Sequence, residues 1–175
     1  MFLDALFILL GLLLVVLGVY RRFIGALFLL GGVYVATLVT ALSYEEVAYR
    51  LLAIGKGAIW FEGLMFIVVY LLVLVIFFVV SLVAFPDTSF SKLHFLDPLL
   101  GGALGAVAGA ITISLVYRGV GYMISQTWEP FNSYSNIYGM WAGSRLGMII
   151  SQLSAPYYYL LYPFFIKVGL PPVLQ

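Results

Sequence analysis

The sequence predicts an all-α integral membrane protein with four transmembrane helices. Of its 175 residues, 65% are hydrophobic and only 9% are charged, and the mean hydropathy is +1.17. A soluble domain needs roughly 25% charged residues to cover its surface. Because this chain cannot cover itself with polar groups, we expect lipid to surround most of it.

Four segments have the length and composition of membrane-spanning helices. A helix needs about 20 mostly apolar residues to cross the hydrocarbon layer. The first segment lacks the positive start and the small-residue cleavage site of a signal peptide, so we expect it to be retained. The predicted spans are residues 2–20, 23–42, 64–85 and 99–123.

The connections between the spans carry further signals. Glu46 and Arg50 stand four residues apart in the stretch 43–63, which is typical of a short amphipathic helix lying in the membrane interface. Asp97 and Pro98 come directly before the fourth span. An acidic N-cap followed by proline at the first helical position marks a helix start. We therefore expect Asp97 to cap its own helix.

The remainder of the chain is mixed in composition. Residues 124–175 combine polar loops, a short amphipathic stretch and a segment rich in tyrosine and proline. Tyr and Trp favour the membrane–water boundary. The sequence thus predicts a membrane domain over 1–123 and a tail over 124–175 that lies along the interface. A fifth span within this tail is the less favoured alternative.

Positive charge gives an orientation. The pair Arg21–Arg22 is the densest positive signal and predicts that the first connection lies in the cytoplasm. Both termini would then lie outside the cytoplasm. The four predicted spans make this a multi-pass membrane protein.

Small residues form two rows in the fourth span. Gly101, Gly105 and Gly109 form the glycine row, and beside it Gly102, Ala106 and Ala110 form the alanine row. Such residues allow helix backbones to approach closely in a membrane. In the second span, a matching row consists of Gly32, Ala36 and Thr40. These rows predict packing seams inside the bundle or, alternatively, a face that receives a helix of another protein or of a second copy.

Residues suited to catalysis or ligand binding are scarce. The chain has no cysteine and one histidine, His94, and no phosphate loop or dinucleotide fingerprint. We expect no catalytic residue, metal, cofactor or nucleic-acid partner. Arg118, like Arg21 and Arg22, is expected to reach the interface or a lipid headgroup. The hydroxyls within the spans can bond to their own helix backbones, so they would line a pore poorly; they belong to Thr37, Thr40, Ser81, Thr112 and Ser114.

Three stretches resemble the colicin V production protein (CvpA) family of bacterial inner-membrane proteins. They are "FLDALFILLGLLLVVLGVYRRFIGALFLLGG", with Asp4 near its start, "LHFLDPLLGGALGAVAGAITI", with Asp97 before the glycine row, and "MWAGSRLGMIISQLS", with Trp141 and Ser144 three residues apart. The resemblance implies a small four-span protein of the bacterial inner (cytoplasmic) membrane, associated with toxin export and envelope maintenance. It carries no catalytic residue over to this chain.

The sequence leaves two functional hypotheses open and disfavours a third. The first is a non-enzymatic scaffold or accessory subunit that packs through small-residue helix faces against a larger membrane assembly, such as a bioenergetic complex. The second is an envelope or toxin-export factor that acts alone or as a homo-oligomer. A channel or transporter is disfavoured because the spans offer no polar pathway.

Overall fold

The computed structural model describes residues 2–52, 59–84, 95–166 and 169–174. Three long helices come first in this part of the chain, and three short helices and a 3₁₀ turn follow. In chain order they are α1 (Phe2–Leu52), α2 (Ile59–Ala84), α3 (Leu96–Met123), α4 (Phe131–Ala142), α5 (Arg145–Leu153), α6 (Ala155–Phe165) and the 3₁₀ turn Pro172–Leu174.

Helix α1 is broken at one residue. Arg22 has φ 58° and ψ −170°, whereas its neighbours are helical. The break divides α1 into a first arm (residues 2–21) and a second arm (residues 23–52), at the boundary predicted between the first two spans. The first arm runs antiparallel to α3, because Gly18 faces Gly101 and Gly11 faces Ile113.

Helix α3 is the centre of the bundle. In the described part of the chain, α1, α2 and α3 are the helices long and apolar enough to cross a membrane. In the most apolar window of α3, 61% of the residues are buried, against 22% for α2. Helix α3 is therefore enclosed by its neighbours, whereas α2 presents most of its apolar surface outward.

Several helices extend beyond the predicted spans. The second arm continues to Leu52 instead of ending at residue 42, since no glycine or proline interrupts it there. The predicted interfacial helix over 43–63 is thus partly the end of α1, although the Glu46–Arg50 ion pair that supported it is present at 2.7 Å. Helix α2 begins at Ile59, before the predicted start of the third span. Residues 53–58 and the predicted last residue of that span, Phe85, lie outside the described residues.

The tail does not simply lie along the interface. Helix α5 starts beside Asp4, and its last turn meets α3 at Ala110, whose carbonyl oxygen accepts a hydrogen bond from Ser154 Oγ at 3.5 Å. Helix α6 then returns, with Tyr158 beside Ser114 and with Phe165 near Ala41 and Leu42 of the second arm. The two helices form a hairpin that enters the bundle from one end and leaves at the same end. Four side chains of α6 are buried: Tyr157, Tyr158, Leu161 and Phe165.

We expect the variant Arg22→Gly to be more stable than Arg22→Ala. The conformation at Arg22 is one that glycine adopts readily and other residues adopt at a cost of about 1–3 kcal/mol. Both variants lose the guanidinium, so their difference isolates the backbone. Thermal unfolding in detergent, followed by circular dichroism, measures it. Equal stability of the two variants would contradict a strained backbone at this position.

Candidate functional site

The glycine row brings α3 into backbone contact with the first arm. A Cβ atom on Gly105 would meet the carbonyl oxygen of Leu14 and would lie 3.1 Å from the Cα of Val15. A Cβ atom on Gly101 would meet the carbonyl oxygen of Gly18. Because the obstacles are backbone atoms, no side chain fits at either position unless the helices move apart.

The contact relaxes toward the other end of the row. A Cβ atom on Gly109 would lie 3.4 Å from the Cα of Gly11, which is ordinary van der Waals contact. The predicted pairing of Gly32 with this face is wrong, since a Cβ atom on Gly32 would meet the ring of Phe77 in α2. The glycine row packs against the first arm because Gly11 and Gly18 leave the space there.

Burial differs among the three residues of the alanine row. Gly102 is buried beside Val19, whereas Ala106 is exposed and Ala110 is half-buried. Successive members of a row drift around the helix by about 40° at a spacing of four residues. This drift carries the alanine row from the seam to the outer surface. In the second arm, Ala36 and Thr40 are fully buried.

The break in α1 is stabilised by a carboxylate from another helix. Asp97 is 2% exposed, and its Oδ1 accepts a hydrogen bond from the backbone N–H of Phe23 at 2.9 Å. Phe23 is the first residue of the second arm, where a helix leaves its N–H groups without intrahelical acceptors. Helix α3 itself begins at Leu96, so the prediction that Asp97 caps its own helix is wrong. It caps the second arm instead.

Arg21, predicted to reach the interface or a lipid headgroup, has its side chain between two helices of the bundle. The residue is 4% exposed, and its Nη2 donates a hydrogen bond to the carbonyl oxygen of Ser81 at 3.0 Å. The guanidinium thus joins α1 to the last turn of α2. The neighbouring Arg22 is half-buried at the same end of the bundle.

A second carboxylate joins the opposite end of the bundle. Asp4 Oδ1 accepts hydrogen bonds from Ser144 Oγ at 2.7 Å and from the backbone N–H of Leu146 at 3.2 Å. Trp141 stacks on Tyr117 with a centroid distance of 5.1 Å, and its Nε1 donates to the Tyr117 carbonyl oxygen at 3.1 Å. These contacts fix the start of α5 on the first arm and on α3.

Tyrosine hydroxyls of the tail were not anticipated as interior groups. Tyr157 donates to Thr37 Oγ1 at 2.8 Å, and the hydroxyls of Tyr158 and Ser114 lie 2.7 Å apart. Tyrosine is as typical of interfaces as of protein interiors, so composition could not distinguish the two environments.

Arg118, predicted to reach the interface or a lipid headgroup, is in contact with two groups of the tail. Its Nη1 donates to the carbonyl oxygen of Leu174 at 3.2 Å, and its guanidinium carbon lies 4.3 Å from the centroid of the Tyr158 ring. The residue therefore fastens the end of the tail to α3. A cation over an aromatic face is attracted by the ring electrons.

The prediction that span hydroxyls bond to their own helices is confirmed at three positions. Thr37, Ser81 and Thr112 donate to carbonyl oxygens three or four residues earlier. Within the described ranges, no group of three or more His, Cys, Asp or Glu side chains is placed to hold a metal ion. His94 lies outside those ranges. Thr37 and Thr112 also bond to tyrosine hydroxyls of other helices.

A comparison with family models decides the relationship. The model described as colicin V production protein matches residues 3–154. The chain belongs to the colicin V production protein family. No curated protein and no solved structure matches it.

The residues on which the resemblance to the colicin V production proteins rests lie at the joints between helices. Asp4 and Ser144 bond to each other, Asp97 caps the second arm, and Trp141 binds Tyr117. The glycine row forms the seam with the first arm. In this member of the family, these residues hold the helices together.

We expect Gly105→Ala to destabilise the bundle and Gly109→Ala to be tolerated. Forcing a methyl group against backbone at Gly105 costs about 1–3 kcal/mol. At Gly109 the methyl group fits, and alanine favours the helix by up to about 1 kcal/mol. Thermal unfolding in detergent compares the two variants. An equal loss of stability at both positions would contradict a helix contact that is tight at Gly105 and relaxed at Gly109.

We expect Asp97→Ala to destabilise the protein more than Asp97→Asn. Asparagine retains an oxygen that can accept the Phe23 N–H, whereas alanine leaves this buried donor unpaired at a cost of about 1–3 kcal/mol. Hydrogen exchange at the Phe23 amide provides the local measurement, and exchange should be fastest in the alanine variant. Similar exchange in both variants would mean that the acceptor at residue 97 does not protect this amide.

Proposed function

We propose that this member of the colicin V production protein family is a non-enzymatic membrane scaffold, an accessory subunit that packs against another membrane protein. The charged and small residues of the protein largely join its own helices, and this supports the proposal. The described residues offer an apolar outer surface with few polar groups. Association with a partner would then depend on shape complementarity within the membrane.

The proposed placement in the bacterial inner membrane has four spans. The first arm contains 20 residues and is about 30 Å long, which matches the thickness of the hydrocarbon layer. The second arm, α2 and α3 are long enough to supply the other three spans. The end of the bundle with Arg21 and Arg22 would face the cytoplasm, as the positive charge favours. Asp4 and the start of α5 would lie at the opposite end.

The exposure of Ala106 is the observation that carries the scaffold proposal. Ala106 lies in a groove of about 300 Å³ between the first arm and α3, which Leu12 and Val15 also line. Small residues at a membrane-exposed surface let the backbone of another helix approach closely. The glycine row is already used internally, whereas Ala106 is exposed and the half-buried Ala110 lines the same groove.

A second candidate function follows from family membership. The protein would serve as an envelope or toxin-export factor, acting alone or as a homo-oligomer. The channel hypothesis receives no support from the hydroxyl groups, since Thr37 and Thr112 bond to their own helices and to tyrosines. The two remaining candidates differ in which proteins co-purify with this protein after extraction in detergent.

We expect Ala106→Phe to abolish recovery of a partner and Val79→Phe to leave it unchanged. Both positions are exposed, at Ala106 in the groove and at Val79 on the outward face of α2, so neither change disturbs the core. The measurement is affinity purification in mild detergent after crosslinking in cells, with quantification of stoichiometric membrane proteins. Recovery of a homo-oligomer alone favours the second candidate. Unchanged partner recovery with Ala106→Phe would exclude this groove as the contact.

A further inference from the structure

A large apolar cavity lies under the turn of the α5–α6 hairpin. Its volume is about 770 Å³, within the range of roughly 300–1,000 Å³ that is typical of ligand sites. The second arm contributes one wall, α3 the second, and the hairpin the third. The cavity is open on one side, where Val107, Leu153 and Leu160 are 48%, 74% and 63% exposed.

The hydroxyl groups of the cavity wall already have partners. Tyr34 donates to the Leu160 carbonyl oxygen at 3.1 Å, Ser154 to Ala110, and Tyr157 to Thr37. The wall contains no charged residue. A cavity of this character does not retain water, because water needs two or more polar partners. Its complementary occupant is hydrocarbon.

The depth of the cavity matches the inner end of an acyl chain. Gly31 lies eight residues beyond Phe23 along the second arm, a rise of about 12 Å. Half of the hydrocarbon layer is about 15 Å thick. A lipid whose headgroup lies at the level of the α1 break would therefore place the end of its acyl chain in the cavity.

The hairpin turn favours an acyl chain over a helix of another protein. Ser154 and Pro156 line the cavity and end it at the level of Ala110. A transmembrane helix is about 10–12 Å wide and passes through both leaflets, so the turn would obstruct it. A flexible chain that enters from one leaflet ends where the turn begins.

Positive charge at the Arg22 end of the bundle is complementary to a lipid phosphate. Arg22 is half-buried at the break of α1, and no hydrogen bond or ion pair of its side chain is found with the part of the chain that the structure describes. Positive side chains next to the membrane attract anionic lipid headgroups.

We propose that the cavity binds an acyl chain of an anionic phospholipid from the leaflet at the Arg22 end, with Arg22 contacting the phosphate. The proposal rests on the four-span placement and is independent of any protein partner. The bound chain would replace packing that the hairpin, which stops halfway, does not supply.

Photolabelling of the purified full chain in nanodiscs tests this proposal. The probe is phosphatidylglycerol with a diazirine at the last carbon of one acyl chain, and labelled peptides are mapped by mass spectrometry. We expect residues 107–111 and 153–160 to be labelled about tenfold more than the outward face of α2 at Val75, Val79 and Val83. Equal labelling of all exposed apolar surfaces overturns the proposal, as does crosslinking of residues 107–111 to a second copy of the chain.

Two glycine variants provide a matched pair. A Cβ atom on Gly31 or on Gly139 would meet nothing within 4 Å, but Gly31 lines the cavity and Gly139 lies in α4. Gly31→Leu should reduce labelling of the cavity peptides by about tenfold, and Gly139→Leu should not. Cavity labelling that survives Gly31→Leu overturns the site.

The headgroup contact and the membrane placement are tested separately. Arg22→Gly removes the charge and adopts the backbone conformation of this position readily. We expect it to remove the preference for phosphatidylglycerol over a phosphatidylcholine probe with the same chain, and a retained preference overturns the assignment of Arg22. If the four-span placement is wrong, the outward residues of the second arm will escape labelling by both probes, whereas those of α2 are labelled.

Discussion

The hydrogen bond from the Phe23 amide to the Asp97 carboxylate fixes the point where α1 turns back. A helix that is interrupted within a membrane protein must find partners for the backbone groups that the interruption frees. Asp97 supplies one of them, and it stands one turn before Gly101. A Cβ atom on Gly101 would lie 2.7 Å from the backbone of Arg22. The cap and the close helix approach therefore depend on each other.

The two rows of small residues face different surroundings because they lie at different angles around the axis of α3. Near Asp97, both rows face the first arm, and Gly101 and Gly102 are buried. One turn later, the rows diverge: Gly105 remains in the seam, whereas Ala106 reaches the outside. A spacing of four residues alone cannot tell an internal seam from an external surface, so the sequence left both interpretations open. The position of the first arm resolves them.

Hydropathy predicted the helical membrane class, the division of α1 at Arg22 and the end of α3 at Met123, because these features depend on local composition. It failed where contacts between distant residues decide the structure. Tyr157 bonds to Thr37 across 120 residues of sequence, and Ser144 bonds to Asp4 across 140. An aromatic ring with one hydroxyl suits the interface and the interior equally. The partner hydroxyls of Thr37 and Ser114 favour the interior position of the α6 tyrosines.

The hairpin limits what the rest of the bundle can bind. Its nine-residue helix α5 is about 14 Å long, so it covers one half of the space beside α3 and leaves the other half open. On the side of the first arm, Leu146 and Ile150 border the groove that contains Ala106; on the side of the second arm, Leu153 borders the apolar cavity. Both surfaces thus exist because α5 ends at Ala110. A longer α5 would cover both.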